Sequence, residues 1–230
     1  MKILIVGISG RMGSVLFNEL KSKRKNYEVR GVDVKNNSLD AITYNNFDFT
    51  DFRPDVIIDF SSRSALNDCL DFALKNKTNC VFLATDYRHK DIEKIKEYAK
   101  HIAILQTSNA SIAVNLLAGL IKTAESVLKN AKITITETHH IHKKDAPSGT
   151  ALYLNEALGG TGEIKSVRRG ETIGIHEVSF ENEFDNLTFT HTAKNRKLFA
   201  DGAVSCAEFI YKKGNGLYSM QDVVKGITND

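Results

Sequence analysis

Cysteine is scarce in this 230-residue chain: Cys69, Cys80 and Cys206 are the only three, widely spaced and odd in number. That excludes a disulfide scaffold and predicts buried free thiols in a reducing compartment. Charge of one sign is lacking as well. Lys and Arg number 31 against 28 Asp and Glu, a formal net charge of +3. So even a balance argues against a dedicated nucleic-acid or membrane-surface protein. Long hydrophobic runs are missing too. The longest apolar stretch, Ile112 to Ile121, is broken by Asn115 and Gly119 and is too short to span a bilayer. The run from Ile3 to Val6 stops at Gly7, too short for a signal peptide. The expectation is a cytoplasmic protein with neither nucleic acid nor membrane as partner. What the chain does contain, 42% hydrophobic and 26% charged residues, suits a globular protein with a sizeable core and excludes disorder as its main character.

Hydrophobic patterning divides the chain in two. Ile3–Val6, Tyr27–Val34, Asp55–Phe60, Cys80–Ala84 and Ile102–Leu105 read as strands, the first a continuous apolar run of the kind buried on both faces. Between them lie helical stripes: Met12–Leu20, the apolar ladder Ala65, Leu66, Cys69, Leu70, Ala73 and Leu74, and the charged Asp91–Lys100. Alternation of this kind predicts a Rossmann-type, doubly wound parallel sheet. The rhythm changes near residue 110. A long helix over Val114–Leu128 precedes alternating segments at Lys132–Glu137, Thr172–Phe180 and Leu187–Thr192, with one short helix near Thr150–Leu158. These predict a smaller α+β domain with a mainly antiparallel sheet. Helices over Asp201–Tyr211, capped by Asp201, and Met220–Lys225 close the chain. The expected domains are 1–108, with 198–230 returning to it, and 109–197.

Gly7-Ile8-Ser9-Gly10-Arg11-Met12-Gly13 lies between the first strand and the first helix. Glycines there permit a tight turn and close approach of a pyrophosphate to the helix start. The G-x-x-G-x-x-G spacing departs from the commoner G-x-G-x-x-G. Its placement, with Asp33 following Gly13 by 20 residues to bond ribose hydroxyls, favours dinucleotide binding over a plain glycine turn. The Asp33 carboxylate repels a 2′-phosphate and so favours NADH, while Lys35 and Arg11 offer charge that admits NADPH.

A second stretch, from Glu137 to Ala151, holds three of the chain's seven His and one of its two Pro. Imidazoles there can exchange a proton near neutral pH, and Lys143 offers charge to an anion. Ser148, Gly149 and Thr150 sit where a helix begins, a natural carboxylate cradle. Two other readings stand beside this one. His140 and His142 share a face of an extended strand, yet no further Cys or His-x-x-His spacing supports a metal, so none is expected. A structural turn with exposed His is the plainer alternative.

Together the two stretches resemble the dihydrodipicolinate reductase family. Glu137-Thr138-His139-His140-Ile141-His142-Lys143-Lys144-Asp145-Ala146-Pro147-Ser148-Gly149-Thr150-Ala151 is similar to that family's E-x-H-H-x-x-K-x-D-A-P-S-G-T-A signature. The similarity continues through Arg168, Gly170, Gly174-Ile175-His176, Phe180, Thr190-His191, Arg196 and Phe199–Ala203. The resemblance implies NAD(P)H-dependent reduction of 4-hydroxy-tetrahydrodipicolinate to tetrahydrodipicolinate in diaminopimelate and lysine biosynthesis. His139 takes the place of the proton donor and Lys143 that of its catalytic partner. His140 takes a substrate-binding place, and Ser148, Gly149 and Thr150 hold a carboxylate of the small dicarboxylate substrate. Coenzyme contacts are implied for Gly7, Ser9, Gly10, Arg11, Met12, Gly13 and Asp33, and also for Ala84, Thr85 and Asn109. A homotetramer joined through the sheets of the substrate domains is implied too. The chain departs from the family where Leu83-Ala84-Thr85-Asp86 replaces a usual Gly-Thr-Thr-Gly, and where Asn109-Ala110-Ser111 replaces Asn-Phe-Ser. The departure at 83–86 motivates one alternative, a catalytically silent NADH-binding regulatory protein. Another small imino- or amino-acid dehydrogenase is the second.

Overall fold

A computed structural model describes residues 1–23, 26–35, 39–49 and 51–229. The chain forms two compact units, Met1–Ser111 with Phe199–Asp230, and Ile112–Leu198.

The first unit contains β1 (Lys2–Val6), α1 (Arg11–Lys23), β2 (Glu28–Val32), β3 (Thr43–Tyr44), β4 (Val56–Asp59), α2 (Leu66–Asn76), β5 (Asn79–Phe82), α3 (His89–Ala99) and β6 (Ala103–Gln106). Every strand pairing is parallel, in the order β3-β2-β1-β4-β5-β6, with one further strand beyond β6. One sheet face carries Leu4, Val6, Ile57 and Phe82 and packs against Leu66, Cys69 and Leu70 of α2 and Ile95 of α3. The other carries Ile3, Ile5, Ile58 and Val81, all equally buried. Burial on both faces is why these strands read as unbroken apolar runs. Each such side chain contributes about 1.5–3 kcal/mol relative to exposure. The chain winds outward from β1 to β3, then returns to β4 and winds the other way. Loops at the ends of β1 and β4 therefore part at the strand-order reversal, the position where sheets of this type bind ligands.

The second unit contains α4 (Ile112–Val127), β7 (Lys132–His139), α5 (Gly149–Ala157), β8 (Glu163–Arg168), β9 (Gly174–Glu181) and β10 (Asn186–Ala193). Its sheet runs β10-β9-β7-β8. The β9–β10 and β7–β9 pairs are antiparallel, whereas β7–β8 is parallel, because α5 carries the chain back before β8 begins. The sheet is thus mixed, and mainly antiparallel. Ile135, Val178 and Phe180 on one face pack against Val114, Leu117 and Ile121 of α4 and Leu154 of α5. The opposite face carries Thr134, Thr136 and Thr138, with Thr188, Thr190 and Thr192 exposed two strands away.

The chain ends in α6 (Lys197–Tyr211), β11 (Gly216–Tyr218) and α7 (Met220–Asn229). Asn79 of β5 donates to the Ile210 carbonyl at 2.9 Å, and β11 pairs parallel with β6 as the seventh strand of the first sheet. Helix α6 starts a turn before Asp201, which therefore does not cap it. The start is set by Asn195, whose side-chain oxygen accepts the Lys197 N–H at 2.9 Å. Among the described residues no helix is long and apolar enough to cross a membrane.

Candidate active site

In the first unit, the β1–α1 turn is shaped by glycines that admit no side chain. Gly7 has φ +76°, and a Cβ there would lie 2.9 Å from the Ser61 Cα. A Cβ on Gly13 would lie 2.1 Å from the Gly7 carbonyl oxygen. The turn is closed by Gly10 N–H donating to Gly7 O at 3.0 Å, and α1 starts directly beyond it. Ser9 donates its N–H to Asp33 at 2.9 Å, and Lys35 N–H donates to the other carboxylate oxygen at 3.0 Å. Gly7, Ser9, Gly10, Asp33, Lys35 and Ser61 border a cleft of about 500 Å³. A cradle that any Cβ would fill, at a helix start and beside a carboxylate, fits the pyrophosphate and ribose of a dinucleotide. Arg11 is exposed on the first turn of α1 and Met12 is half-buried.

At the end of β4 the buried Asp59 accepts the Ser61 N–H at 2.8 Å and the Tyr87 hydroxyl at 3.0 Å. Burial raises the Asp59 carboxyl above its ordinary range, although these bonds oppose it. The 83–86 departure acquires a structural role here. Both oxygens of Asp86 accept the Arg63 N–H, at 3.0 and 3.2 Å, so the carboxylate anchors the short 3-10 turn ahead of α2. Ala84 is buried and Thr85 exposed. The Asn109 side-chain oxygen accepts the Ser111 N–H at 2.9 Å, shaping the turn that leads out of this unit.

In the second unit the apolar face of the sheet becomes polar at one end. Strand alternation puts Ile135, Glu137 and His139 on the same face of β7. Strand register sets His176 of β9 opposite Glu137, and His191 of β10 opposite His176. Glu137 is fully buried and His139 is 8% exposed. Arg168 grips Glu137 with two bonds, Nη2 to Oε1 at 2.9 Å and Nη1 to Oε2 at 3.1 Å. The second oxygen also contacts His139 Nδ1. Burial acts to raise the Glu137 carboxyl, but Arg168, Ser166 and His139 outweigh it and hold it below the ordinary range. Burial likewise lowers His139, with Glu137 opposing the shift and Lys143 and Arg168 adding to it.

The 139–151 segment then turns to enter α5. Ser148 caps the helix, its Oγ accepting the Ala151 N–H at 3.2 Å, while its own N–H donates to Glu137 at 3.2 Å. The positive end of the α5 dipole is at Ser148, Gly149 and Thr150, and Gly149 faces open space. Lys143 Nζ pairs with both Asp145 oxygens at 2.8 and 2.7 Å, which lowers the Asp145 carboxyl. His140 is half-buried. Strand β7 ends at His139, so His140 and His142 do not share a strand face as expected; they lie where the chain leaves the sheet, their rings 6.2 Å apart.

His139, His140, Lys143, Ser148, Gly149 and Thr150 thus fall within one compact unit, and the glycine turn with Asp33 within the other. The sequence reading gave no role to Glu137, Arg168 or His176. The alternation of Glu137 and His139 on one strand was the available signal; the partners come from β8 and β9, through pairing that no local pattern reveals.

Residues 1–110 match the family described as dihydrodipicolinate reductase, N-terminus, and residues 113–224 its C-terminus. The 4-hydroxy-tetrahydrodipicolinate reductase of Alkaliphilus metalliredigens is 35% identical over 99% of this chain and 100% of its own length. That of Thermosipho africanus is 35% identical over 98% of both chains. Among solved structures, a dipicolinate-bound dihydrodipicolinate reductase from Paenisporosarcina superposes with a TM-score of 0.84 at 19% identity, covering 95% of this chain and 97% of that one. Both halves of the sequence, and nearly its full length, lead to one conclusion: the chain belongs to the dihydrodipicolinate reductase family.

Proposed function

We propose that this chain reduces 4-hydroxy-tetrahydrodipicolinate to tetrahydrodipicolinate, within diaminopimelate and lysine biosynthesis, using a reduced nicotinamide coenzyme; the 4-hydroxyl leaves as water, and the conjugated cyclic imine so formed accepts the hydride. The observation that carries the reading is the joining of a buried, carboxylate-paired imidazole, His139, to an anion-favouring helix start at Ser148–Thr150 within one segment. Ser148, Gly149 and Thr150 take one substrate carboxylate at the α5 dipole. Lys143 and His140 supply charge and hydrogen bonds for the rest of the dianion. Dipicolinate, bound in the Paenisporosarcina relative, is a planar dicarboxylate of the class this cradle suits.

In the first unit, residues 7–13 and Asp33 hold the coenzyme, with backbone contacts from Ala84, Thr85 and Asn109. When bound, the reduced nicotinamide supplies the hydride. The protein's task is to quench the negative charge that then builds on the conjugated enamine, and His139 delivers that proton. Positioned acid catalysis of this kind is worth roughly 10²–10⁴-fold. Asp33 favours NADH by repelling a 2′-phosphate, and Lys35 and Arg11 soften the preference. The threonine-rich face of the second sheet is the surface for tetramer assembly. Three buried thiols without disulfides suit a reducing cytoplasm.

The test supplies the condensation product of pyruvate and aspartate semialdehyde and follows loss of nicotinamide absorbance with NADH and with NADPH. Turnover with NADH ahead of NADPH is expected. A folded protein that oxidises neither coenzyme would refute the reading.

A further inference from the structure

Glu137 is a carboxylate in the most costly of places, fully buried beneath the second sheet's polar end. Both its oxygens are paired. Oε1 accepts Arg168 Nη2 and the Ser148 N–H, and Oε2 accepts Arg168 Nη1 beside its contact with His139. Arg168 is itself fixed by backbone: Nη2 donates to Asp145 O at 2.6 Å, and Nη1 to Val167 O at 2.8 Å. With both guanidinium nitrogens facing it, the carboxylate keeps one ionised orientation. Oε2 can then only accept from His139, which puts the ring's resident proton on Nδ1. His139 Nε2 lies beside Gly174, where an added Cβ would come within 3.0 Å of it; the missing side chain leaves that nitrogen its room.

We propose that Glu137 is a positioning residue that fixes the rotamer and tautomer of His139, so that Nε2 is the atom that carries and delivers the proton. Arg168 acts one step further back, by holding Glu137. This inference rests on the reductase reading for the destination of the proton, not for the geometry. The charged and titratable groups around the ring are Glu137 on its own strand, Arg168 on β8, His176 on β9, and Lys143 and Asp145 in the following turn. Burial, Lys143 and Arg168 work against the imidazolium; Glu137 works for it. A dianionic substrate adds to the Glu137 side and promotes protonation as it binds.

Glu137→Gln makes the test sharp. Its amide oxygen is claimed at the Oε1 place by two groups that can only donate, Arg168 Nη2 and the Ser148 N–H, whereas the Oε2 place faces Arg168 Nη1 and an imidazole that can switch tautomer and accept. The NH₂ group is thereby turned on His139 Nδ1, moving the ring proton to Nε2 and disfavouring the imidazolium. Ring-nitrogen NMR of His139 is recorded across pH for wild type, Glu137→Gln and Glu137→Asp, beside kcat, KM and dipicolinate affinity. The wild type is expected as the Nδ1–H tautomer and Glu137→Gln as Nε2–H, with the His139 midpoint lower by about one pH unit or more. The alkaline limb of kcat/KM should move with that midpoint, and kcat should fall about 100-fold or more, with dipicolinate affinity changed far less than kcat. Glu137→Asp, which keeps the charge, should recover part of both. A wild-type Nε2–H tautomer, or a midpoint unmoved in Glu137→Gln, would overturn the proposal. If that variant fails to fold, the wild-type tautomer and the Glu137→Asp midpoint decide instead. Wild type without turnover would defeat the reductase reading, while the NMR arm would still judge the role of Glu137.

Discussion

Ser9 donates its backbone N–H to the Asp33 carboxylate at 2.9 Å, tying the glycine turn to the end of β2. The acid thus shapes the loop and presents negative charge at the edge of the cleft proposed to hold the coenzyme. Asn keeps an acceptor for Ser9 and loses the charge. Asp33→Asn is therefore expected to lower the NADH-to-NADPH ratio of kcat/KM by about tenfold or more, the scale of one charge-assisted hydrogen bond lost and one repulsion relieved. Steady-state kinetics with both coenzymes checks this; an unchanged ratio would remove Asp33 from coenzyme selection.

Much of the first unit was legible because its strands are buried on both faces. Ile3–Val6 and Val56–Ile58 cannot be read as amphipathic helix, and the stripe from Leu66 to Ala73 cannot be read as strand. The two-residue β3 and three-residue β11 escaped because they are too short to show a period. Strand β8, Glu163–Arg168, escaped because its side chains are mostly exposed and it lacks an apolar alternation. With β8 unseen, its parallel pairing with β7 was not legible either.

His139→Gln removes the proposed proton donor and leaves the start of α5 in place. We expect kcat to fall by roughly 10²–10⁴-fold, with KM and dipicolinate affinity changed far less. Steady-state kinetics and calorimetric titration of dipicolinate separate the two effects. A kcat near the wild-type value would exclude His139 as the acid.

His176 supplies a pH signature. Burial, aided by His139 and His191, pushes its pKa down to about 4, whereas an unfolded imidazole titrates near 6.5. Between those values the unfolded chain binds the extra proton, so stability is complete above the upper value and declines as pH falls toward the lower. From about pH 7 to about pH 5 this one group costs the fold about 2 kcal/mol. Urea unfolding at both pH values should show a loss smaller by about that amount in His176→Gln than in wild type. Equal losses would mean that His176 is not held neutral.

The candidate site was only partly legible. His139, Lys143 and Ser148–Thr150 stand in one continuous stretch, so they could be picked out together along the chain as a candidate site. Arg168 and His176 lie 29 and 37 positions beyond His139 and reach Glu137 only through the registers of β8 and β9. Strand register is fixed by tertiary packing, and a one-residue slip would send these side chains to the other face. The departure Asp86 was legible as a change, but its task, accepting the Arg63 N–H, depends on a turn that only the fold brings near.

The central claim, hydride from a nicotinamide into an unsaturated cyclic dicarboxylate with a protein-borne proton, is tested most directly by isotope transfer. The enzyme is given NADH deuterated at both C4 positions, in ordinary water, with freshly formed substrate, and the product is read by mass spectrometry. The account predicts tetrahydrodipicolinate carrying a single deuterium for each coenzyme oxidised. Undeuterated product, or coenzyme oxidation without tetrahydrodipicolinate, would contradict it.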